Sequence, residues 1–364
     1  MTKEKIYLLS PKKHSPEVIA VTFAKTSRSP LSFQEIADEL SDESSAEFHE
    51  KWVVGYGHAS VAEHAILHIA IENVSRLAIE RLQSNRLASY TEKSTRYQKW
   101  DLNAFVTPPE LDGHPLKSEY KNTIKLLFKT YADSLAPTRA IIQERFPRKE
   151  GEADEAWDRR IRARYVDACR FLLPAASHAN VGMTANARVL ESAIRKMLSH
   201  PLAEVRQIGE KIKDAAQNEV PTLVKYAEAV PYFNEVEKEF TALSKSCCAP
   251  TPYSGSDVKM LDHDPLAENK ILAAAIYRFG ENSFSQALQY IESLDTEERA
   301  EIAEKLLGTL GKFDVPLREL EYSYYTFDLV MDQGAYYEFK RHRLMTQTPQ
   351  NLSTNLGYAT PTLI

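Results

Sequence analysis

Between Arg86 and Tyr97 the chain reads Arg-Leu-Ala-Ser-Tyr-Thr-Glu-Lys-Ser-Thr-Arg-Tyr, a density of charged and hydroxyl side chains that suits a phosphate and a base. Arg86 and Arg96 can clamp a phosphate with paired N–H donors, Ser89 and Ser94 add hydroxyl donors, and Glu92 can accept from an imide or a ribose hydroxyl. A solvated polar turn has the same composition, so spacing must decide between them. Two further polar clusters stand at a distance: Gly57-His58 with Glu63 five residues on, and Arg170-Phe171-Leu172-Leu173-Pro174 followed, twelve residues after the proline, by Asn186-Ala187-Arg188.

Other candidate chemistry is thinner. His58, His64 and His68 lie close together, but no carboxylate triad accompanies them and 64 and 68 fall on an expected strand, so no metal is assigned. The cysteines, Cys169, Cys247 and Cys248, are odd in number, and adjacent cysteines rarely pair with each other, so all three read as reduced thiols. The basic run Trp157 to Arg164 reads as a solvated helix face. There is no glycine-rich phosphate loop.

The elements that must position these clusters are mostly helical. Glycine is scarce, at 12 of 364 residues, and the runs 117–146, 155–200 and 202–229 repeat apolar residues at three and four, as in Val189, Leu190, Ala193, Ile194, Met197 and Leu198. Segments 64–72 and 320–330 carry the β-branched and aromatic residues of strands, each leading into a helix. Ser75 and Asp332 are good helix N-caps and each stands nine residues before a polar turn, Ser84-Asn85-Arg86 and Arg341-His342-Arg343 respectively. This local order, repeated at an offset of about 255 residues, reads as an internal duplication. The second copy stops early, as it would if the chain continued in a longer protein.

A chain of 364 residues exceeds what one hydrophobic core usually fills. The Ser- and Pro-rich segment 241–258 therefore reads as a connector between a first domain, 1–240, and a partial second, 259–364. A net charge of −6 argues against a protein built to grip nucleic acid. No apolar run approaches the ~20 residues of a bilayer span, and the N-terminus has no secretory pattern, so the expectation is a cytoplasmic protein with no membrane partner.

At these intervals the three clusters together resemble the flavin-dependent thymidylate synthase family, over roughly residues 14–230. That family's signature reads Arg-His-Arg, two residues, Ser, a variable run, then Ser-x-Arg-Tyr. Arg86, Ser89, Glu92, Ser94, Arg96 and Tyr97 fall at matching places. The resemblance implies an α+β fold, helix-rich with an antiparallel sheet flanked by helices, present here as two tandem copies of which the second is incomplete. It implies conversion of dUMP to dTMP, with methylenetetrahydrofolate as carbon donor and FAD, reduced by NADPH, as hydride source. The substrate would be held by Arg86, Ser89, Glu92, Ser94, Arg96 and Arg170, with Ser94 and Arg96 nearest the chemistry. The flavin would be lined by His58, Glu63, Asn186 and Arg188. Family active sites lie between subunits, so self-association is expected, as a dimer of two-copy chains or a tetramer.

The departures from the family are specific. The signature's first two residues are Ser84 and Asn85 here, Arg81 stands where Gln is usual, and a further substrate-binding Arg is replaced by Met197, with Arg195 and Lys196 close by. The second copy restores the missing head as Arg341-His342-Arg343, yet carries Thr346, Pro349, Asn351 and Ser353 in place of Ser89, Glu92, Ser94 and Arg96, and Phe313 and Arg318 in place of His58 and Glu63. The two copies are thus expected to supply complementary parts of one pocket, with Arg341, His342 and Arg343 on its flavin side. Two rival readings stay open: a protein that binds flavin or nucleotide without turnover, and a structural paralogue with no ligand.

Overall fold

The computed structural model describes residues 4–95, 100–247 and 257–358. They form two compact units. One holds 4–247 (except 96–99) together with Tyr337–Asn351, and the other holds 257–336 with Leu352–Tyr358. Residues 337–351, which by sequence belong to the second copy, are therefore part of the first unit.

The first unit begins with three helices, α1 (Pro16–Thr26), α2 (Phe33–Glu39) and α3 (Asp42–Phe48), each opened by a serine. Ser32 and Glu35 form a reciprocal capping box that satisfies two otherwise orphaned N–H groups. β1 (Ile66–Ser75) follows and runs directly into α4 (Arg76–Gln83). The Ser75 hydroxyl accepts from the Ala78 N–H at 3.0 Å and donates to Glu204 at 2.7 Å, which ties this helix start to a distant part of the chain. Next come β2 (Ser89–Glu92), α5 (Lys117–Arg145), α6 (Asp154–Cys169), β3 (His178–Asn186), α7 (Ala187–Leu198), α8 (Ala203–Gln217) and α9 (Pro231–Cys247).

β1, β3 and β2 make an antiparallel sheet with β3 in the middle. Ala179, Val181, Met183 and Ala185 of β3 point to one face and are buried, the period-two pattern of a strand with one face on a core. That core takes Ile79 and Leu82 from α4, Leu190, Ile194 and Met197 from α7, and Val205, Ile208 and Ile212 from α8. Full burial of each such aliphatic side chain is worth about 1.5–3 kcal/mol. α7 and α8 approach closely at Gly209, where an added Cβ would lie 2.8 Å from the Met197 Cβ. β1 bulges between Ile71 and Val74, and Asn73 there has φ of 57°, a left-handed conformation that Asn tolerates better than most residues. Its N–H donates to the Asn180 side chain at 3.0 Å.

The second unit contains β4 (Val258–His263), α10 (Ala267–Phe279), α11 (Phe284–Ser293), α12 (Thr296–Leu307), β5 (Tyr325–Leu329) and the start of α13 (Gln333–Phe339). β4 and β5 pair antiparallel, and a small core joins Leu272 and Ala273 of α10 to Ala287 and Ile291 of α11. Asp332 caps α13, accepting from the Ala335 N–H at 2.9 Å, as Ser75 caps α4.

The molecule is thus α+β and helix-rich with antiparallel sheets, and several boundaries differ from those read in the sequence. The stretch 155–200 is not one helical run: β3 interrupts it, because alternation of small and apolar residues in His-Ala-Asn-Val-Gly-Met-Thr-Ala-Asn is a strand pattern that the flanking helices mask. The helix expected over 202–229 stops at Gln217. α9 continues to Cys247, into the segment read as a connector, and 248–256 lie outside the described residues. His64 ends a short 3-10 helix, Ala59–His64, rather than starting the strand.

Candidate active site

Register brings the separated clusters together. Ile66 of β1 pairs with Asn186 of β3, so Glu63, three residues before Ile66, and Arg188, two residues after Asn186, meet at the same end of the sheet. Their side chains form an ion pair across 125 residues of sequence. Both are about half exposed, so the guanidinium keeps donors for a further anionic partner. The Asn186 side chain is occupied: its Oδ1 accepts the Val189 N–H at 2.9 Å and starts α7. His58 precedes the 3-10 helix carrying Glu63, after a turn in which Gly57 has φ of 73°, and its ring lies 5.9 Å from that of Trp52. His68 bonds Thr184 at 2.9 Å across the sheet, as their register requires.

The other edge of β3 carries β2. Ser89 pairs with Thr184 and Glu92 with Val181, so the expected exposed turn is a strand over 89–92, with Arg86 and Ser89 exposed. Glu92 is partly buried; Arg76 approaches it at 3.7 Å and Gln83 donates to it at 3.3 Å. Arg76 is itself buried, its guanidinium lying 4.0 Å above the Tyr337 ring, and its Nε has no hydrogen-bond partner. Lys340 lies over the same ring; burial pushes its ammonium below the usual lysine range, partly offset by Glu92 and Glu80. Arg170, just past the C-terminus of α6, is braced by Asp167 at 3.1 Å and donates to the buried Thr95 hydroxyl at 3.3 Å. Ser94 is partly buried beside Thr95. Arg96 and Tyr97 lie outside the described residues.

Of the segment 341–343, Arg343 reaches the first copy's signature, and the other two residues meet neighbours on their own stretch of chain. Arg343 donates to the carbonyl oxygens of Arg86, at 3.2 Å, and Ala88, and its guanidinium stands 5.1 Å from the Tyr90 ring. Tyr90 in turn donates to the Leu82 and Asn85 carbonyls, and burial raises its phenol to about 12, which keeps it a donor. Arg341 pairs with Glu338 at 3.2 Å, and the His342 ring lies against Phe339.

The departures from the family are explained by packing. Asn85 is buried, donating to the Leu82 carbonyl at 2.8 Å and accepting from Lys196 at 3.3 Å, so it faces inward. Met197 is 2% exposed in the core, and Arg195 pairs with Glu191. Arg81 donates to Asn351 at 2.7 Å, and its Nε is buried without a partner. Between Arg81 and Arg206, burial and like charge push the His200 imidazole down to about 4.

Among the described residues no three His, Cys, Asp or Glu side chains gather as a metal site, and no helix is long and apolar enough to cross a membrane. Cys169 is buried and Cys247 exposed; Cys248 lies outside the described residues. Within the basic run 157–164, Arg160 is bonded twice to Glu152, holding that carboxylate at about 2, and Arg164 lies over Phe146. Sequence reasoning missed Arg76, Thr95, Tyr337, Glu338 and Lys340. Only Thr95, inside the signature, lay where a local signal could have found it.

A guanidinium–carboxylate pair stands at one end of a small antiparallel sheet, and a braced arginine stands beside the strand on its other edge, in a helix-rich α+β protein. The sequence profile of the thymidylate synthase complementing protein family matches residues 8–222, more than half of the chain, and the chain belongs to that family. A UPF0159 protein of Chlamydia pneumoniae is 28% identical over 96% of this chain and 72% of its own length. A flavin-dependent thymidylate synthase of Clostridium tetani is 30% identical over 58% of this chain and 82% of its own length. A crystal structure of the flavin-dependent thymidylate synthase of Helicobacter pylori, complexed with FAD and dUMP, is 18% identical, covers 59% of this chain and 95% of that one, and superposes with a TM-score of 0.39.

Proposed function

We propose that this protein binds FAD and dUMP and makes dTMP, taking the carbon from methylenetetrahydrofolate and the reducing equivalents from NADPH. The observation that carries the reading is the meeting of Glu63 with Arg188. Two clusters picked out for one ligand, 125 residues apart, are neighbours in space. The donor set suits a flavin dinucleotide: Arg188 is an exposed guanidinium group able to face a diphosphate, and His58 offers a ring nitrogen from a glycine-made turn. FAD would supply the hydride chemistry. The chain's own residues bind and orient. Arg170, braced by Asp167 and Thr95, holds the substrate phosphate. Arg86, Ser89, Ser94 and Arg96 complete the nucleotide side, with Ser94 and Arg96 nearest the pyrimidine, and Glu92 is oriented by Arg76 and Gln83. On the flavin side, Arg343 fixes the backbone at Arg86 and Ala88, so one copy steadies the signature of the other, with Arg341 and His342 adjacent. Self-association, as a dimer of two-copy chains or a tetramer, and residence in the cytoplasm belong to the same reading.

Flavin absorbance in the purified protein, and tritium release from labelled dUMP with folate and NADPH present, test it. Bands near the flavin maxima with tritium release are expected; protein that takes up no added FAD and releases no tritium overturns it. A second reading, binding without turnover, is favoured by the inward-facing Asn85 and the core position of Met197, which supply no ligand contacts where the family carries them. Flavin uptake without tritium release would select it.

A further inference from the structure

Arg170 is met from far along the chain by a carboxylate. Glu338 Oε1 stands 3.5 Å from both terminal nitrogens of its guanidinium. The remaining contacts of Arg170 are local or neutral: Asp167, three residues earlier, at Nε, and the Thr95 hydroxyl. The Arg170 side chain is 14% exposed, whereas that of Glu338 is 47% exposed and is shared with Arg341 through its other oxygen, at 3.2 Å. The arginine is thus largely enclosed and the carboxylate open to solvent. Two longer-than-ideal contacts on one oxygen make a weak pair, which a phosphate able to engage both nitrogens at normal hydrogen-bond length can replace.

We propose that Glu338 is an internal stand-in for the ligand's phosphate: it occupies the anion position on Arg170 and must be displaced when a nucleotide monophosphate binds. The inference rests on the reading of Arg170 as a phosphate-binding residue. Glu338 then acts as a built-in competitor carried on α13, lowering affinity for anions at Arg170 while keeping its guanidinium oriented in their absence. A charge-neutral substitution of the same shape removes the competition and leaves the helix intact.

The experiment is equilibrium binding of dUMP, deoxyuridine and inorganic phosphate to the full chain and to Glu338→Gln, with Glu338→Ala as a second variant and thermal melting as the check on folding. The expected result is binding of dUMP and phosphate tighter by about two- to fivefold in both variants, the size of a partly exposed ion pair, with deoxyuridine unchanged. Unchanged or weaker phosphate and dUMP binding in folded variants overturns the proposal, since a merely structural brace would not tighten binding when removed. If neither wild type nor variants bind dUMP, the nucleotide reading fails and phosphate alone decides: tighter binding in the variants still supports the competitor, and no change rejects it.

Discussion

Replacing Arg188 by Ala separates ligand binding from stability, because the pair it makes with Glu63 is exposed. The two side chains are 51% and 46% exposed. An ion pair of that kind contributes at most about 1 kcal/mol to stability, which for a unit of this size moves the melting temperature by no more than about 4 °C. A charge-assisted contact to a diphosphate is worth more, about 1.5–3 kcal/mol, and at 1.4 kcal/mol per factor of ten this is a loss of about 10- to 100-fold in FAD affinity. Titrating FAD into flavin-free protein, followed by flavin fluorescence, measures the first quantity, and a thermal melt the second. A change in FAD affinity below about threefold would refute the assignment of Arg188 to the flavin. A fall in melting temperature beyond about 8 °C would show instead that the pair is structural. Wild-type protein that binds no FAD would refute the flavin reading itself.

Met197→Arg, which restores the family's residue, places a charge in the core beside the close approach of Gly209, and lowers stability by about 3–5 kcal/mol in chemical denaturation; a variant as stable as wild type would contradict the packing. His200 has a folded-state value of about 4, below its ordinary 6.5, so the unfolded chain takes up the proton first. Stability is fully present above pH 6.5 and falls as pH drops toward 4, by about 1–2 kcal/mol after allowance for partial exposure. His200→Asn, able to keep the acceptor for the Leu202 N–H, flattens that slope, and an unaltered pH dependence of unfolding would refute the cause. Glu17 is buried and accepts the Thr222 and Leu223 N–H groups at 2.8 and 3.2 Å, so Glu17→Ala leaves two buried donors unpaired and costs about 2–4 kcal/mol. Loss of less than about 1 kcal/mol in denaturation would show that water or relaxation replaces the bond.

Much of the candidate site was legible from local chemistry. Ser75 before Arg76, and Asp332 before Gln333, announced helix starts because a hydroxyl or carboxylate there satisfies N–H groups the helix cannot. The strands at Ile66–Ser75 and Tyr325–Leu329 were legible because β-branched and aromatic residues cluster there. β3 was not, since its nine residues of small and mixed side chains lie between two helices whose periodicity dominates any longer window.

The sequence by itself determined which residue types stand at which intervals, and so the family and the candidates Glu63, Arg170, Asn186 and Arg188. Tertiary structure decided which of them meet. Antiparallel register, a property of two strands and not of one, sets Glu63 against Arg188. Apolar spacing already turned Met197 inward and left Arg195 outward, but how closely α7 packs on α8, at Gly209, is set only when the two helices meet. The placement of Tyr337–Asn351 in the first unit brings Glu338 to Arg170 and Arg343 to the signature backbone. Contacts across 168 and 255 residues leave no periodic or compositional trace in either partner, because each side chain is locally an ordinary exposed charge until the other arrives.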